Sequence, residues 1–224
     1  AAVAVNIARC LGSRVLEAPI VLEGGAIETD GEGTLLVNHR CIDDPLRNPK
    51  WSREELAAGL QSFLGAKKVL WANGALAGDD TDGHIDQLAR FVAPGCVVAA
   101  RQPDRSDPNH ESLEANFDLL KKFKDACGRL LDVVPIDLPP NVCFGDVQLP
   151  ASYLNFSILN GGVIVPTFQH ELDINAIKTI QKFFPQREVI AFPALELIRG
   201  RGAVHCVTSQ QPALECSEAG NMPA

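Results

Sequence analysis

The chain has 224 residues, 46% hydrophobic and 21% charged, a balance that excludes a disordered chain and suits a globular fold of one large or two small domains. Its net charge of −8 argues against nucleic acid as a partner, since phosphate binding needs clustered Lys and Arg, and no apolar run approaches the ~20 residues of a membrane span. The seven cysteines are odd in number and include no Cys-x-x-Cys pair, which speaks against structural zinc and a disulfide framework and for a reduced, cytosolic compartment.

The apolar opening, residues 1–8, has no basic flank and so does not read as a signal peptide. It starts without Met in the middle of a strand or helix pattern, and the chain is expected to be a fragment. Residues 15–22 read as a strand leading into Glu23-Gly24-Gly25, and Asp30-Gly31-Glu32-Gly33 is a hairpin-type turn before a strand over 34–37. Residues 52–64 are helical, with Ser52 as the cap, Glu55 at the capping-box position, Leu56, Leu60, Phe63 and Leu64 on one face, and Gly65 at the end. Strands are expected over 67–71 and 96–100.

The second half repeats this order. Asp107-Pro108 opens a helix carrying Leu113, Phe117, Leu120 and Phe123 and ending near Gly128; strands follow over 130–136 and 152–159, and Asn160-Gly161-Gly162 turns the chain tightly into 163–166. Asp173 is expected to cap a helix with Ile174, Ile177, Ile180 and Phe184 on one side. Then come a strand over 188–192, a short helix over 195–198 and a strand over 203–208, with residues 213–224 a disordered tail beyond a single domain over 1–212. Repeated strand–hairpin–helix–strand units suggest modules packed around a shared centre. A doubly wound Rossmann sheet fits less well, because no Gly-x-Gly-x-x-Gly follows a first strand.

Chemistry concentrates in Asp79-Asp80-Thr81-Asp82-Gly83-His84-Ile85-Asp86. Four carboxylates and an imidazole so close together call for a cation nearby: a metal, a Lys or Arg, or a charged substrate. In an extended segment His84 and Asp86 face the same side, an acid/base group beside an anionic anchor; a solvated acidic turn is the plainer alternative. Gly202-Ala203-Val204-His205-Cys206 offers a thiol nucleophile or a buried structural thiol. Were 203–208 extended, His205 and Cys206 would face opposite ways, and the base would come from elsewhere, with His84 the candidate. Two glycines after Glu23 allow close approach of backbone or ligand. Asn155, inside the apolar Ala151-Ser152-Tyr153-Leu154-Asn155-Phe156, needs partners and reads more readily as a backbone clamp than as a catalytic group.

These stretches, together with Arg47-Asn48-Pro49, Ala89-Arg90-Phe91-Val92-Ala93-Pro94-Gly95 and His205-Cys206 closing on Gln210-Gln211-Pro212, occur in an order that strongly resembles the agmatine deiminases of the bacterial-type peptidylarginine deiminase family. The resemblance covers nearly the whole chain. It implies the pentein fold, an α/β propeller of repeated ββαβ-type modules, here incomplete at the N-terminus. It also implies Cys206 as nucleophile, His84 as general acid/base and Asp86 as a carboxylate gripping the guanidinium, with Asp80, Asn155 and Glu23 lining the substrate site. The expected substrate is a small guanidinium cation such as agmatine, with no metal or organic cofactor; free or peptidyl arginine is the alternative.

Two departures stand out. Gly200-Arg201-Gly202-Ala203 replaces the family's usual Gly-Gly-Gly-Asn, and the family's upstream Trp-x-Arg-Asp segment does not occur in these residues. The chain is accordingly expected to be a weak catalyst, with an open sheet edge that favours homo-oligomers. A catalytically inactive binding protein, and a metal-dependent hydrolase built on Asp79, Asp80, Asp82, His84 and Asp86, are the other classes the residues leave open.

Overall fold

The computed structural model describes residues 2–140 and 142–211. It opens with helix α1 (Ala2–Cys10). The turn at Asp30-Gly31-Glu32-Gly33 then works through one carboxylate: Asp30 Oδ1 accepts the backbone N–H groups of Glu32 (2.8 Å) and Thr34 (2.9 Å). This closes an antiparallel hairpin of β1 (Ile27–Thr29) and β2 (Thr34–Asn38). A single-turn helix α2 (His39–Ile42) and the longer α3 (Arg53–Leu64) follow. The expected capping box of Ser52 and Glu55 starts α3, and Gly65 ends it in the left-handed region. The chain returns as β3 (Lys68–Ala72), parallel to β2.

This unit recurs twice. β4 (Ala89–Ala93) and β5 (Cys96–Arg101) form a hairpin; α4 (His110–Leu120) carries the chain over to β6 (Asp132–Asp137), parallel to β5. A small hairpin, β7 (Cys143–Phe144) and β8 (Val147–Gln148), intervenes. Then β9 (Ser157–Ile158) pairs antiparallel with β10 (Gly162–Thr167), and α5 (Leu172–Phe183) leads to β11 (Glu188–Pro193), parallel to β10. Three sheets of identical order, with the second strand of each at the centre, are the repeated ββαβ modules of an α/β fold.

Strand β2 is buried on both faces, and its pleat divides the apolar core. Leu35 and Val37 join Ile20, Ala26, Cys41, Ile42, Leu56 and Leu60. Leu36 points the other way, into the larger cluster that holds Leu70, Ala72, Ile85, Leu88, Val97, Val98, Tyr153, Phe156 and Ile180. Arg90 on β4 joins the modules. It is nearly buried, pairs with Glu28 of β1 (2.8 Å) and donates to the backbone carbonyls of Leu154 (2.9 Å) and Phe156 (2.6 Å).

Several expected elements take other forms. Residues 15–22 are not a strand; the backbone N–H and C=O of Val21 are met by the Asn48 side chain at 2.9 and 3.1 Å, so this segment joins no sheet. Of 152–159 only Ser157–Ile158 is extended, and the preceding apolar run is a buried turn. Residues 203–208 form a 3₁₀ turn, His205–Val207. Asp173 lies within the first turn of α5 and reaches back to the backbone N–H groups of Phe168 and His170 and to the Tyr153 hydroxyl. Ile174 is exposed, and Ala176 and Ile180 are the buried residues of that helix. Strand β4 was not expected. The tail over 213–224 lies outside the described residues.

Candidate active site

One cleft of about 390 Å³ is lined by Glu23, Gly25, Asp80, His84, Asp86 and Cys206, with Arg201, His205 and Gln210 also on its walls. Five of the six candidate site residues therefore share one cavity. The sixth, Asn155, lies beneath it, where the buried turn over 151–156 carries its amide under the Cys206 loop. Asn155 Oδ1 accepts from the N–H of Ala203 (3.1 Å) and Cys206 (3.3 Å), its Nδ2 donates to Cys206 Sγ (3.1 Å), and its own carbonyl accepts from His205 N–H (3.0 Å). These bonds fix the thiol in place; Asn155 clamps the backbone and does not line the cleft.

The acidic stretch separates into side chains with different partners. Asp79 caps its own turn, accepting from Thr81 N–H (3.0 Å), Thr81 Oγ1 (2.7 Å) and Gly83 N–H (2.7 Å). Asp82 pairs with Arg47 at 2.7 Å, and Asp80 lies 3.9 Å from the Arg201 guanidinium. A metal centre on Asp79, Asp80, Asp82, His84 and Asp86 is thus contradicted by geometry, because these groups diverge to separate partners.

His84 precedes and Asp86 lies within a 3₁₀ turn, Ile85–Gln87, not an extended segment. They still meet across Gly25, where a Cβ would stand 2.6 Å from His84 Nδ1 and 2.7 Å from Asp86 Oδ2. The other ring nitrogen, Nε2, lies 2.9 Å from Glu23 Oε2, and Glu23 is in turn held by Arg47 at 3.0 Å. Burial alone would push the Glu23 carboxyl up, but hydrogen bonds from His84, Arg47 and Cys41 outweigh it and hold the group below its ordinary value. Glu23 is therefore an anion that orients the imidazole and leaves the Nδ1 side toward Gly25 and Asp86.

Asp86 is fully buried. Its Oδ2 is 2.8 Å from His205 Nδ1 and 3.6 Å from Cys206 Sγ, and its Oδ1 has no hydrogen-bond partner among the described residues. The 3₁₀ turn lets His205 and Cys206 both face this carboxylate, which an extended strand would forbid. The sequence expectation of an extended segment turns His205 away from Cys206; the adjacent His-Cys pair is the signal in the sequence for their shared partner. Arg47 and Gly202 were given no role. Gly202 makes room for the Cys206 loop, as a Cβ there would stand 2.6 Å from Cys206 Cβ.

Burial and then the negative charge of Asp86 push the Cys206 thiol up to about 11, against the lowering effect of the Asn155 hydrogen bond. A raised thiol pKa keeps the proton on sulfur at neutral pH, so alkylation by iodoacetamide should be slow there and should rise through about pH 11. Asp86→Asn removes the second cause and should move that midpoint down while burial keeps it above an ordinary thiol. Site-resolved mass spectrometry of alkylated Cys206 across pH checks this; an unchanged midpoint would show that Asp86 does not act on the sulfur.

The chain matches the model of the Porphyromonas-type peptidyl-arginine deiminases over residues 1–212. It is 37% identical to the agmatine deiminase of Pseudomonas syringae pv. tomato, over 93% of this chain and 64% of that protein. It is 39% identical to the agmatine deiminase of Pseudomonas fluorescens, over 86% of this chain and 57% of that one. The solved agmatine deiminase of Enterococcus faecalis superposes with a TM-score of 0.86 at 32% identity, covering 92% of this chain and 62% of that structure. The chain spans about three fifths of the length of these relatives, and its three ββαβ modules are of the pentein type. It belongs to the Porphyromonas-type peptidyl-arginine deiminase family.

Proposed function

We propose that this chain is the thiol-bearing part of a guanidine deiminase that converts agmatine to N-carbamoylputrescine and ammonia. The observation that carries this reading is the convergence of Cys206 Sγ, Asp86 and His84 on one cleft, with Gly25 leaving the space between them open. The agmatine deiminases among its relatives support the choice of substrate.

A guanidinium presents five N–H donors in a plane and always carries charge. Asp86 has acceptor capacity beyond His205 and Cys206, so charge-assisted hydrogen bonds to it aim the central carbon at Cys206. The bound cation also offsets the Asp86 charge that holds the thiol protonated, which favours the thiolate only when substrate is in place. The thiol proton passes to His84, and sulfur attacks the guanidinium carbon to give a tetrahedral adduct. His84 delivers a proton to the departing nitrogen, ammonia leaves, and an S-amidino-cysteine remains. Water, deprotonated by His84, attacks the same carbon; the C–S bond breaks, Cys206 is regenerated, and the ureido product is released. Glu23 and Arg47 hold His84, and Asn155 holds the sulfur.

A second substrate, free arginine, is favoured by one feature of the mouth. Asp80 and Arg201 are charged walls of the cleft that lie 3.9 Å apart, an anion and a cation suited to the ammonium and carboxylate of an α-amino acid. Measuring ureido product from agmatine, arginine and a peptidyl arginine decides between them. Absence of product from all three would sink the deiminase reading.

Gly25 gives a test of the geometry. In Gly25→Ala the new methyl displaces His84 or Asp86 by the better part of an ångström, and a 1 Å misplacement costs ~100-fold in rate. We expect kcat to fall on that order with the thermal midpoint little changed, read by steady-state kinetics beside thermal unfolding. A variant with wild-type kcat would mean that the space above Gly25 is not where chemistry happens.

A further inference from the structure

We propose that Glu23, Cys41 and His84 together form a binding site for one divalent metal ion of the zinc class, on the side of His84 turned away from Cys206. One ligand atom from each residue, a carboxylate oxygen, a sulfur and a ring nitrogen, lies within 4.8 Å of the other two. Glu23 Oε2 stands at the centre of the group, 3.4 Å from Cys41 Sγ and 2.9 Å from His84 Nε2. Zinc bonds of about 2.0–2.3 Å at tetrahedral angles place such atoms roughly 3.3–3.6 Å apart, so shifts of well under the length of a bond would form the shell. A Glu, Cys and His set with a fourth position open to water suits zinc over magnesium or calcium, which take all-oxygen shells.

The charges agree with a divalent ion. With Cys41 ionised, Glu23, Asp82 and Cys41 carry three negative charges against the one positive charge of Arg47, which leaves two to be met. Arg47 gives up only its 3.1 Å contact with Glu23 Oε2 and need not leave: it is also held by Asp82 at 2.7 Å and by the Thr81 carbonyl at 3.1 Å, and it retains Glu23 Oε1 at 3.0 Å. Burial pushes the Cys41 thiol up to about 12, and the metal removes that proton to the buffer as the S–metal bond forms. The six-coordinate hydrated ion keeps one water and releases the other five as the three side chains complete a four-coordinate shell. The effect on turnover rests on the role proposed above for His84: an imidazole bound to metal through Nε2 keeps its proton on Nδ1, so it cannot act as base and the metal inhibits.

The test uses cobalt(II) as a spectroscopic stand-in and zinc as competitor, on the full chain, and does not depend on turnover. We expect one equivalent of cobalt to give a thiolate-to-metal charge-transfer band that zinc abolishes. The band should persist in Cys206→Ser and vanish in Cys41→Ser. His84→Asn leaves Cys41 in place and should weaken zinc by at least ~10-fold, so it decides the matter if Cys41→Ser does not fold. No stoichiometric binding, a band that follows Cys206, or undiminished zinc affinity in His84→Asn would each overturn the site. Loss of deiminase activity in the metal-free protein bears only on the proposed reaction.

Discussion

Cys206→Ala should abolish formation of the ureido product, by ~10⁴-fold or more, while the folded protein remains. The two halves of this expectation have separate causes. The Cys206 thiol packs against Asn155 and Asp86 while the residue lines the open cleft, so truncating it removes side-chain hydrogen bonds without enclosing a cavity, at a cost of about 1 kcal/mol. Chemistry, by contrast, has no substitute for the sulfur. The other groups facing the proposed guanidinium are Asp86, an acceptor already engaged with His205 at 2.8 Å, and His84, whose proposed part is proton transfer. Neither replaces a covalent intermediate. Product assays, thermal unfolding and a mass spectrum of wild type quenched in a single turnover supply the measurements. Substantial product from Cys206→Ala, or no amidino adduct on Cys206 in the quenched wild type, would exclude the covalent route. Cys41 provides no rescue through proximity, since it is buried behind Glu23, with its thiol turned to Oε2.

Local pattern was enough to read the scaffold, and inadequate for the segments that carry the site. The hairpin at Asp30–Gly33, helix α3 with its capping box, and strands β3, β5 and β11 follow from turn chemistry, 3.6-residue periodicity and short apolar runs. Each is determined by residues close in sequence. The segments 152–156 and 203–208 have equally apolar character, yet neither is a strand, because their backbone groups are met from far away. Arg90 takes the carbonyls of Leu154 and Phe156 across separations of 64 and 66 residues, and Asn155 takes the N–H of Ala203 across 48. No local period reports such partners. The consequence falls on the site: an extended 203–208 would turn His205 away from Asp86, whereas the 3₁₀ turn brings both His205 and Cys206 to it. The acidic stretch failed in the opposite sense: its charges looked collective, but Arg47, Arg201, His205 and the turn itself each take one carboxylate. Residue types singled out a thiol, an imidazole and a carboxylate that share one cleft; only the fold shows that Glu23 holds the imidazole and Asn155 the sulfur.

Arg90→Met should be the most destabilising single change in the scaffold, by about 3–5 kcal/mol, because it breaks a buried ion pair from one side only. Arg90 is 3% exposed, and its partner Glu28 also accepts the N–H of Phe91 at 3.1 Å. Removing the guanidinium leaves the Glu28 carboxylate with one backbone N–H and no counter-charge. It also strips the carbonyls of Leu154 and Phe156 of their donor, and it removes the cation from the face of the Phe156 ring, 4.6 Å away. For a chain of this size such a loss corresponds to a fall of roughly 6–20 °C in Tm. The double variant Arg90→Met with Glu28→Gln separates charge from packing: neutralising the orphaned carboxylate should recover part of the loss, while the unmet carbonyls keep the rest. Function should suffer beyond stability, since the turn that Arg90 holds is the one that carries Asn155 beneath Cys206. At a temperature where both proteins are fully folded, Arg90→Met should therefore alkylate at Cys206 with a pH midpoint different from wild type. Thermal unfolding of the three proteins and the alkylation profile check both parts. If Arg90→Met unfolds within ~1 kcal/mol of wild type, the link that Arg90 makes between β1, β4 and the 151–156 turn is not what holds the modules together.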